Sequence, residues 1–166
     1  MHMTWIQYMT SDVPFKEKEN EYLLDITIGE ALEKGIALPG WHKKYTSDQR
    51  VLLHLDGHDE SGFSIQPFEK DSQDMRDTDK AFCAEIWWID TEAKAEGLLR
   101  YIREYMQKCN EIELWYLFQG SHTDKPYKEA TRYKNVSLEH LNAAVLNEFF
   151  GNYEDTPACL LVRNDE

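Results

Sequence analysis

The sequence lacks the features that mark several large classes of protein. Its three cysteines are far apart and form no CxxC pair or zinc-finger spacing. No apolar run is long enough to span a bilayer, and the N-terminus has no basic start followed by an apolar stretch. These absences predict a reducing compartment, no structural zinc and a cytoplasmic location.

Common catalytic motifs are also missing. Neither GxGxxG, GxxxxGK[ST], GxSxG nor HExxH occurs in the chain. This argues against an NTPase, a Rossmann oxidoreductase, an α/β-hydrolase and a zincin. We therefore predict no cofactor and assign no catalytic residue, although enzymatic activity stays open.

Basic residues are scarce. The 166 residues include 31 acidic and 18 basic side chains, a net charge of −13 at pH 7. Such a charge repels phosphate backbones and anionic lipids, so we expect neither nucleic acid nor membrane as a partner. It suits a basic protein partner, or serves solubility alone. A content of 42% hydrophobic and 13% aromatic residues indicates a folded chain with a real core.

The N-terminal third predicts a strand and a short helix. Thr4 to Met9 carries large apolar residues, as a strand does. Thr27 and Glu30 have the spacing of a capping box, which predicts a helix to Lys34. Gly35 then suits the left-handed position that ends many helices.

From Gln49 onward, apolar residues recur at every second position. The segments 51–55 and 63–68 alternate in this way on either side of a polar turn with two glycines, which predicts a hairpin. Pro67 cannot donate to a ladder, so it predicts an edge position or a strand end.

A strand–helix–strand unit follows. Residues 82–89 predict a buried strand, and Asp90 or Thr91 would cap the next helix. Residues 111–118 predict a second aromatic strand. The helix between them has an apolar face of four turns: Ala95, Leu98, Leu99, Ile102, Tyr105, Met106 and Cys109.

The C-terminal part predicts a strand, a helix and a last strand. Residues 127–135 alternate aromatic or threonine side chains with charged ones, which is typical of a strand with one wet face. Ser137 would cap a helix ending at Gly151, and residues 158–162 predict a short apolar strand.

Together these elements predict one α+β domain over residues 1–166. We expect a mainly antiparallel or mixed sheet with two principal helices on one face, plus a short N-terminal helix. Residues 48–166 would form the core, and residues 1–47 a lid or appendage.

The best candidate for a metal site lies at the expected hairpin tip. His54, Asp56, His58, Asp59 and Glu60 could hold a cation if their side chains converged. Their spacing matches no established ligand pattern, and polar residues are equally typical of an exposed turn. We assign no metal.

Two glutamates lie inside the predicted aromatic strands. Glu85 and Glu113 could face the same side of the sheet if their strands were neighbours, as paired carboxyl groups in acid–base catalysis do. The simpler interpretation is that both point to solvent. A Cys–His pair involving Cys83, Cys109, Cys159 or His140 has no local signal.

The aromatic residues of the same strands suggest a binding surface. If the helices cover one face, the other would leave Trp87, Trp115 and Leu117 together as an exposed apolar patch. Alternatively the N-terminal segment, with Trp5, Tyr8 and Phe15, folds over this face as a lid.

These features favour a protein-binding module. In size, charge and class the chain resembles the bacterial immunity proteins that neutralise toxins, many of which are basic nucleases. The resemblance implies a basic partner, steered by surface acids and docked on aromatic residues. The predicted contact residues are Asp56, Asp59, Glu60, Asp71, Asp74, Asp77, Trp87 and Trp115.

The alternative function is an enzyme or small-ligand protein. Its site would lie between the sheet and the N-terminal segment, with His42, His54, Glu85 and Glu113 as polar groups. A structural or regulatory subunit without independent activity is a third interpretation.

Overall fold

The computed structural model describes residues 4–54, 62–70, 78–87, 92–119, 131–151 and 157–165. The chain divides into two compact units, one of residues 1–19 with 63–166 and one of residues 20–62. We call them the main unit and the small unit. The six acids Asp56, Asp59, Glu60, Asp71, Asp74 and Asp77 lie outside the described residues.

The main unit contains a six-stranded sheet. Its strands are β1 (Thr4–Ser11), β4 (Ser64–Phe68), β5 (Phe82–Trp87), β6 (Glu111–Gln119), β7 (Arg132–Ser137) and β8 (Ala158–Arg163). Their order across the sheet is β4-β5-β1-β6-β8-β7. Every neighbouring pair is antiparallel except β7 and β8, which are parallel. The prediction of an α+β fold with a mainly antiparallel, mixed sheet is therefore confirmed.

β1 is an interior strand of this sheet. It pairs with β5 on one side and with β6 on the other. The expectation that Thr4–Ser11 belongs to a lid is thus wrong. Met9 and Thr10 point to opposite faces, yet both are fully buried, as an interior strand requires.

Two helices complete the main unit, α2 (Glu92–Tyr105) and α3 (Ala143–Gly151). Their buried side chains form one cluster with Met9, Leu114 and other sheet residues. α2 ends four residues before Cys109, so that cysteine lies beyond the predicted helical face and packs against the cluster only partly buried.

α3 begins later than its predicted start at Ser137. β7 extends through Ser137, and the next residue donates its backbone N–H to Arg163 O. The cap is Asn142, whose Oδ1 accepts from Val145 N at 2.9 Å. Ser137 Oγ instead lies 2.6 Å from His140 Nδ1. Pairing with β8 prolongs the strand and displaces the helix start.

The edge position predicted from Pro67 is confirmed, since β4 is the outermost strand on its side of the sheet. Its predicted hairpin with β3 is wrong. β3 (Arg50–His54) pairs with β2 (Leu23–Thr27) in a separate two-stranded sheet, whereas β4 pairs with β5. Alternation alone does not specify which strand is the partner.

The small unit confirms the capping box. α1 (Ile28–Glu33) begins after Thr27, whose Oγ1 accepts from Glu30 N at 3.1 Å, while Glu30 Oε2 accepts from Thr27 N at 2.8 Å. Gly35 has a φ of 68°, the left-handed conformation predicted for it. The unit has its own core, made by Ile28, Ala31, Val51 and Leu53.

Candidate functional site

The main sheet has a second face, separate from the cluster that contains the helices. It carries a smaller buried cluster of Tyr8, Cys83, Trp115 and Cys159. Tyr8 is the partner of both Glu85 and Trp115, so these three side chains form a row across β5, β1 and β6. The same reasoning places Cys83, Thr10 and Glu113 in the adjoining row.

Glu113 is the most heavily hydrogen-bonded carboxylate on this face. Its Oε2 accepts from Thr10 Oγ1 at 2.5 Å, from Thr78 Oγ1 at 2.6 Å and from Trp115 Nε1 at 2.9 Å. Three donors on one oxygen hold the carboxylate in place. The network ties Thr78, which precedes β5, to β1 and β6.

Glu85 is chemically different from Glu113. Burial raises the pKa of its carboxyl group, and a hydrogen bond with Trp87 opposes this only in part. A carboxyl group of raised pKa can donate or accept a proton near neutrality more readily than an exposed one. The two glutamates do face the same side of the sheet, but β1 separates their strands.

The cysteines of this face are poor nucleophiles. Burial raises the pKa of the Cys83 and Cys159 thiols, and the charge of Glu113 raises both further, while Lys70 lowers that of Cys83. Thiols are unreactive when protonated. Burial likewise raises the pKa of Cys109. This chemistry gives no support to a cysteine-based mechanism.

The two predicted contact tryptophans differ sharply in exposure. Trp87 is 58% exposed at the end of β5. Trp115 is 2% exposed, and its indole N–H donates to Glu113 and Thr10. It therefore does not belong to an exposed patch. Ile6 and Leu117 are paired with each other beyond Tyr8 and Trp115, and both are partly buried against the second-face cluster. Trp87 lies two residues beyond Glu85 on β5, on the same face of the sheet, and its strand partner is Ser64.

The predicted histidine site cannot be placed. His54 lies at the end of β3, and residues 55–61 lie outside the described residues. His42 Nδ1 is 2.6 Å from Pro39 O. In the described part of the chain, no group of three or more His, Cys, Asp or Glu side chains could hold a metal ion.

Two features were missed from the sequence. Thr10 and Thr78 are 68 residues apart, and no pattern in the sequence connected them with each other or with Glu113. Trp41 and Tyr45 form an exposed pair in the small unit, 43% and 55% exposed, with ring centroids 5.8 Å apart. The aromatic–basic run Trp41-His42-Lys43-Lys44-Tyr45 was the available signal for the second feature.

Comparison with known proteins gives no relative, since no family model matches the chain and no curated protein or solved structure is significantly similar. No described helix is long and apolar enough to cross a membrane.

Proposed function

We propose that the chain is an acidic cytoplasmic protein-binding module, of the immunity or inhibitor type, that neutralises a basic partner. The observation that carries this proposal is the exposed indole of Trp87. A tryptophan left more than half exposed on a sheet is a common anchor of protein interfaces.

The surroundings of Trp87 support this role. Ile6 and Leu117 are paired across β1 and β6, and both pack partly buried against the second-face cluster. α2 and α3 share a buried cluster with Met9 and Leu114. Trp87, Ile6 and Leu117 lie on the other face of the sheet, which also carries the buried cluster that contains Trp115.

The net charge supplies the second component. At −13 the chain attracts a basic protein over long distances, and apolar contacts then hold the complex. We retain Asp56, Asp59, Glu60, Asp71, Asp74 and Asp77 as proposed contacts, because they occur in two acidic segments of the sequence.

Affinity capture from host-cell lysate tests the role of Trp87. The wild-type chain should retain a basic protein, and Trp87→Ala should weaken its affinity about tenfold or more. Phe82→Ala is the matched control, because Phe82 is 40% exposed but points to the face of Ala84 and Ile86. Equal loss in both variants, or in neither, contradicts the proposal.

The acidic segments need a separate test. Replacing the six aspartates and glutamates by Asn and Gln should weaken capture and flatten its salt dependence. Unchanged affinity for the same partner would remove these residues from the interface.

A second candidate function rests on the raised pKa of Glu85. A proton-transfer enzyme or ligand-binding protein could use this carboxyl group, but Thr4–Ser11 cannot form the second wall of its site because these residues are part of the sheet. A screen of small molecules by thermal shift tests it: a stabilising compound should lose its effect in Glu85→Gln. A shift that survives this substitution excludes Glu85.

A further inference from the structure

The small unit carries a surface of opposite character to the rest of the chain. Residues 34–47 form the longest stretch of the sequence without an aspartate or glutamate, and they include three lysines. Lys43 and Lys44 belong to a short 3₁₀-helix, Gly40–Lys44, and both are exposed. In a chain of net charge −13, this stretch carries only positive charges, and Asp48 is the next residue after it.

Two aromatic rings lie at this helix, Trp41 within it and Tyr45 at its C-cap. Trp41 and Tyr45 are 43% and 55% exposed, and they contact each other in a T-shaped arrangement. Neither belongs to the core cluster of the small unit. Leaving both rings this exposed forgoes the hydrophobic stabilisation that burial would give them.

The backbone holds these side chains in a defined geometry. His42 N donates to Pro39 O and Tyr45 N donates to His42 O, each at 3.1 Å. His42 Nδ1 makes a further contact of 2.6 Å with Pro39 O, and it must be the donor because a carbonyl oxygen only accepts. The rings and the lysines are thus presented from a fixed turn.

We propose that residues 41–45 bind single-stranded nucleic acid, with bases stacked on Trp41 and Tyr45 and phosphates contacted by Lys43 and Lys44. Alternating cations and exposed aromatic rings are the recognition elements of sequence-tolerant single-strand binders. This proposal is independent of the basic protein partner. The opposite expectation, that no nucleic acid binds, rests on the net charge of the whole chain, and the same experiment tests it.

Two chemical reasons favour this ligand over an acidic protein segment. The lysines would attract either anion, but every nucleotide joins a planar base to a phosphate, whereas an acidic protein segment offers a planar side chain only where its sequence includes one. The acids elsewhere are less of an obstacle than the net charge implies, because charges farther apart than about 8 Å are largely screened at physiological ionic strength. A short strand is therefore the expected ligand.

Fluorescence anisotropy with a labelled oligo-dT of about 12 nucleotides tests the proposal, a length within the range of known single-strand sites. Trp41→Ala and Tyr45→Ala should each weaken binding about tenfold, the loss expected for one stacked base. Phe82→Ala should bind as the wild type does. No binding by the wild type, or equal loss in all three variants, overturns the proposal.

The lysines are tested by the salt dependence of the same binding. Lys43→Gln/Lys44→Gln should reduce the slope of log K against log salt by roughly 1.4, since each single-strand phosphate contact contributes about 0.7. Lys43→Arg/Lys44→Arg should retain the slope. The control is Lys16→Gln/Lys108→Gln, which removes the same charge from two other exposed lysines. An equal change of slope in this control overturns the assignment of the phosphate contacts to Lys43 and Lys44.

A poly-glutamate peptide of matched length distinguishes the two anions. If the peptide binds as tightly as the oligonucleotide and Trp41→Ala weakens neither ligand's binding, the surface recognises charge alone and the nucleic-acid proposal fails. Far-UV circular dichroism of each variant shows that lost binding does not reflect unfolding.

Discussion

Glu113 shows how a single residue can connect distant parts of the chain. Its Oε2 accepts hydrogen bonds from Thr10, Thr78 and Trp115, and all three donor residues are buried. Removing the Glu113 carboxylate therefore takes an acceptor away from three buried donor groups at once.

Glu113→Ala should therefore destabilise the protein by about 3 kcal/mol, because hydrogen bonds to a charged group are strong and unsatisfied buried donors are costly. Glu113→Gln keeps an acceptor oxygen and should cost less. Urea denaturation measures both. Glu104→Ala, at an exposed helix position, is the control, and a similar loss there would contradict the role of the network.

The raised pKa of Glu85 predicts how the stability of the protein changes with pH. Because burial raises its pKa above 4.5, the folded state binds the proton more tightly than the unfolded state does. The associated stability is present below pH 4.5 and is lost as the pH rises through the folded pKa.

Glu85→Gln cannot ionise and so does not lose this stability. Its free energy of unfolding, relative to wild type, should increase as the pH is raised from about 4.5 toward neutrality. Urea titrations of both proteins at several pH values measure the difference. A difference that stays constant with pH would show that Glu85 is not the group responsible.

At the scale of elements, the start of α3 shows that a residue with a favourable capping side chain does not always cap the helix. Ser137 and Asn142 both have side chains that favour a helix N-terminus. In the structure Asn142 bonds to Val145 N, while Ser137 ends β7 and contacts His140.

Asn142→Ala should accordingly destabilise the main unit by about 1 kcal/mol, the usual cost of a lost cap. Ser137→Ala removes only an exposed hydrogen bond and should change stability by less than about 0.5 kcal/mol. Thermal unfolding of the two variants gives the comparison. The reverse order would assign the cap to Ser137.

The sheet shows the same limit on local signals. The helix α2 was identified from its apolar period, and the strands on either side of it from their aromatic and branched residues, because both signals are local in the sequence. The strand partners were not identified from the sequence. In the structure β1 lies between β5 and β6, and β3 pairs with β2. Pairing depends on which apolar faces fit together, and these come from distant parts of the sequence.

At the scale of the whole molecule, charge is the dominant property. The net charge of −13 is what remains after every Lys and Arg is counted against an acid, so the described ion pairs, such as Arg50 with Asp25 and Lys80 with Glu111, do not reduce it. Like charges repel in the compact state, and salt screens this repulsion.

The melting temperature should therefore rise when sodium chloride is increased from low to moderate concentration at pH 7. Calorimetry measures the change. A melting temperature that falls over this range would mean that the attractive ion pairs outweigh the general repulsion.

Sequence alone determined the fold class, the capping box at Thr27, the edge position of β4 and the α2 unit, since each follows from local periodicity or a local hydrogen bond. Tertiary structure decided the rest. It placed Thr4–Ser11 inside the sheet and gave Trp87 and Trp115 opposite exposures, although both are strand tryptophans on one face. It also assembled Thr10, Thr78 and Glu113. Exposure and long-range hydrogen bonds depend on what packs next to a residue, and that is set only when distant segments meet.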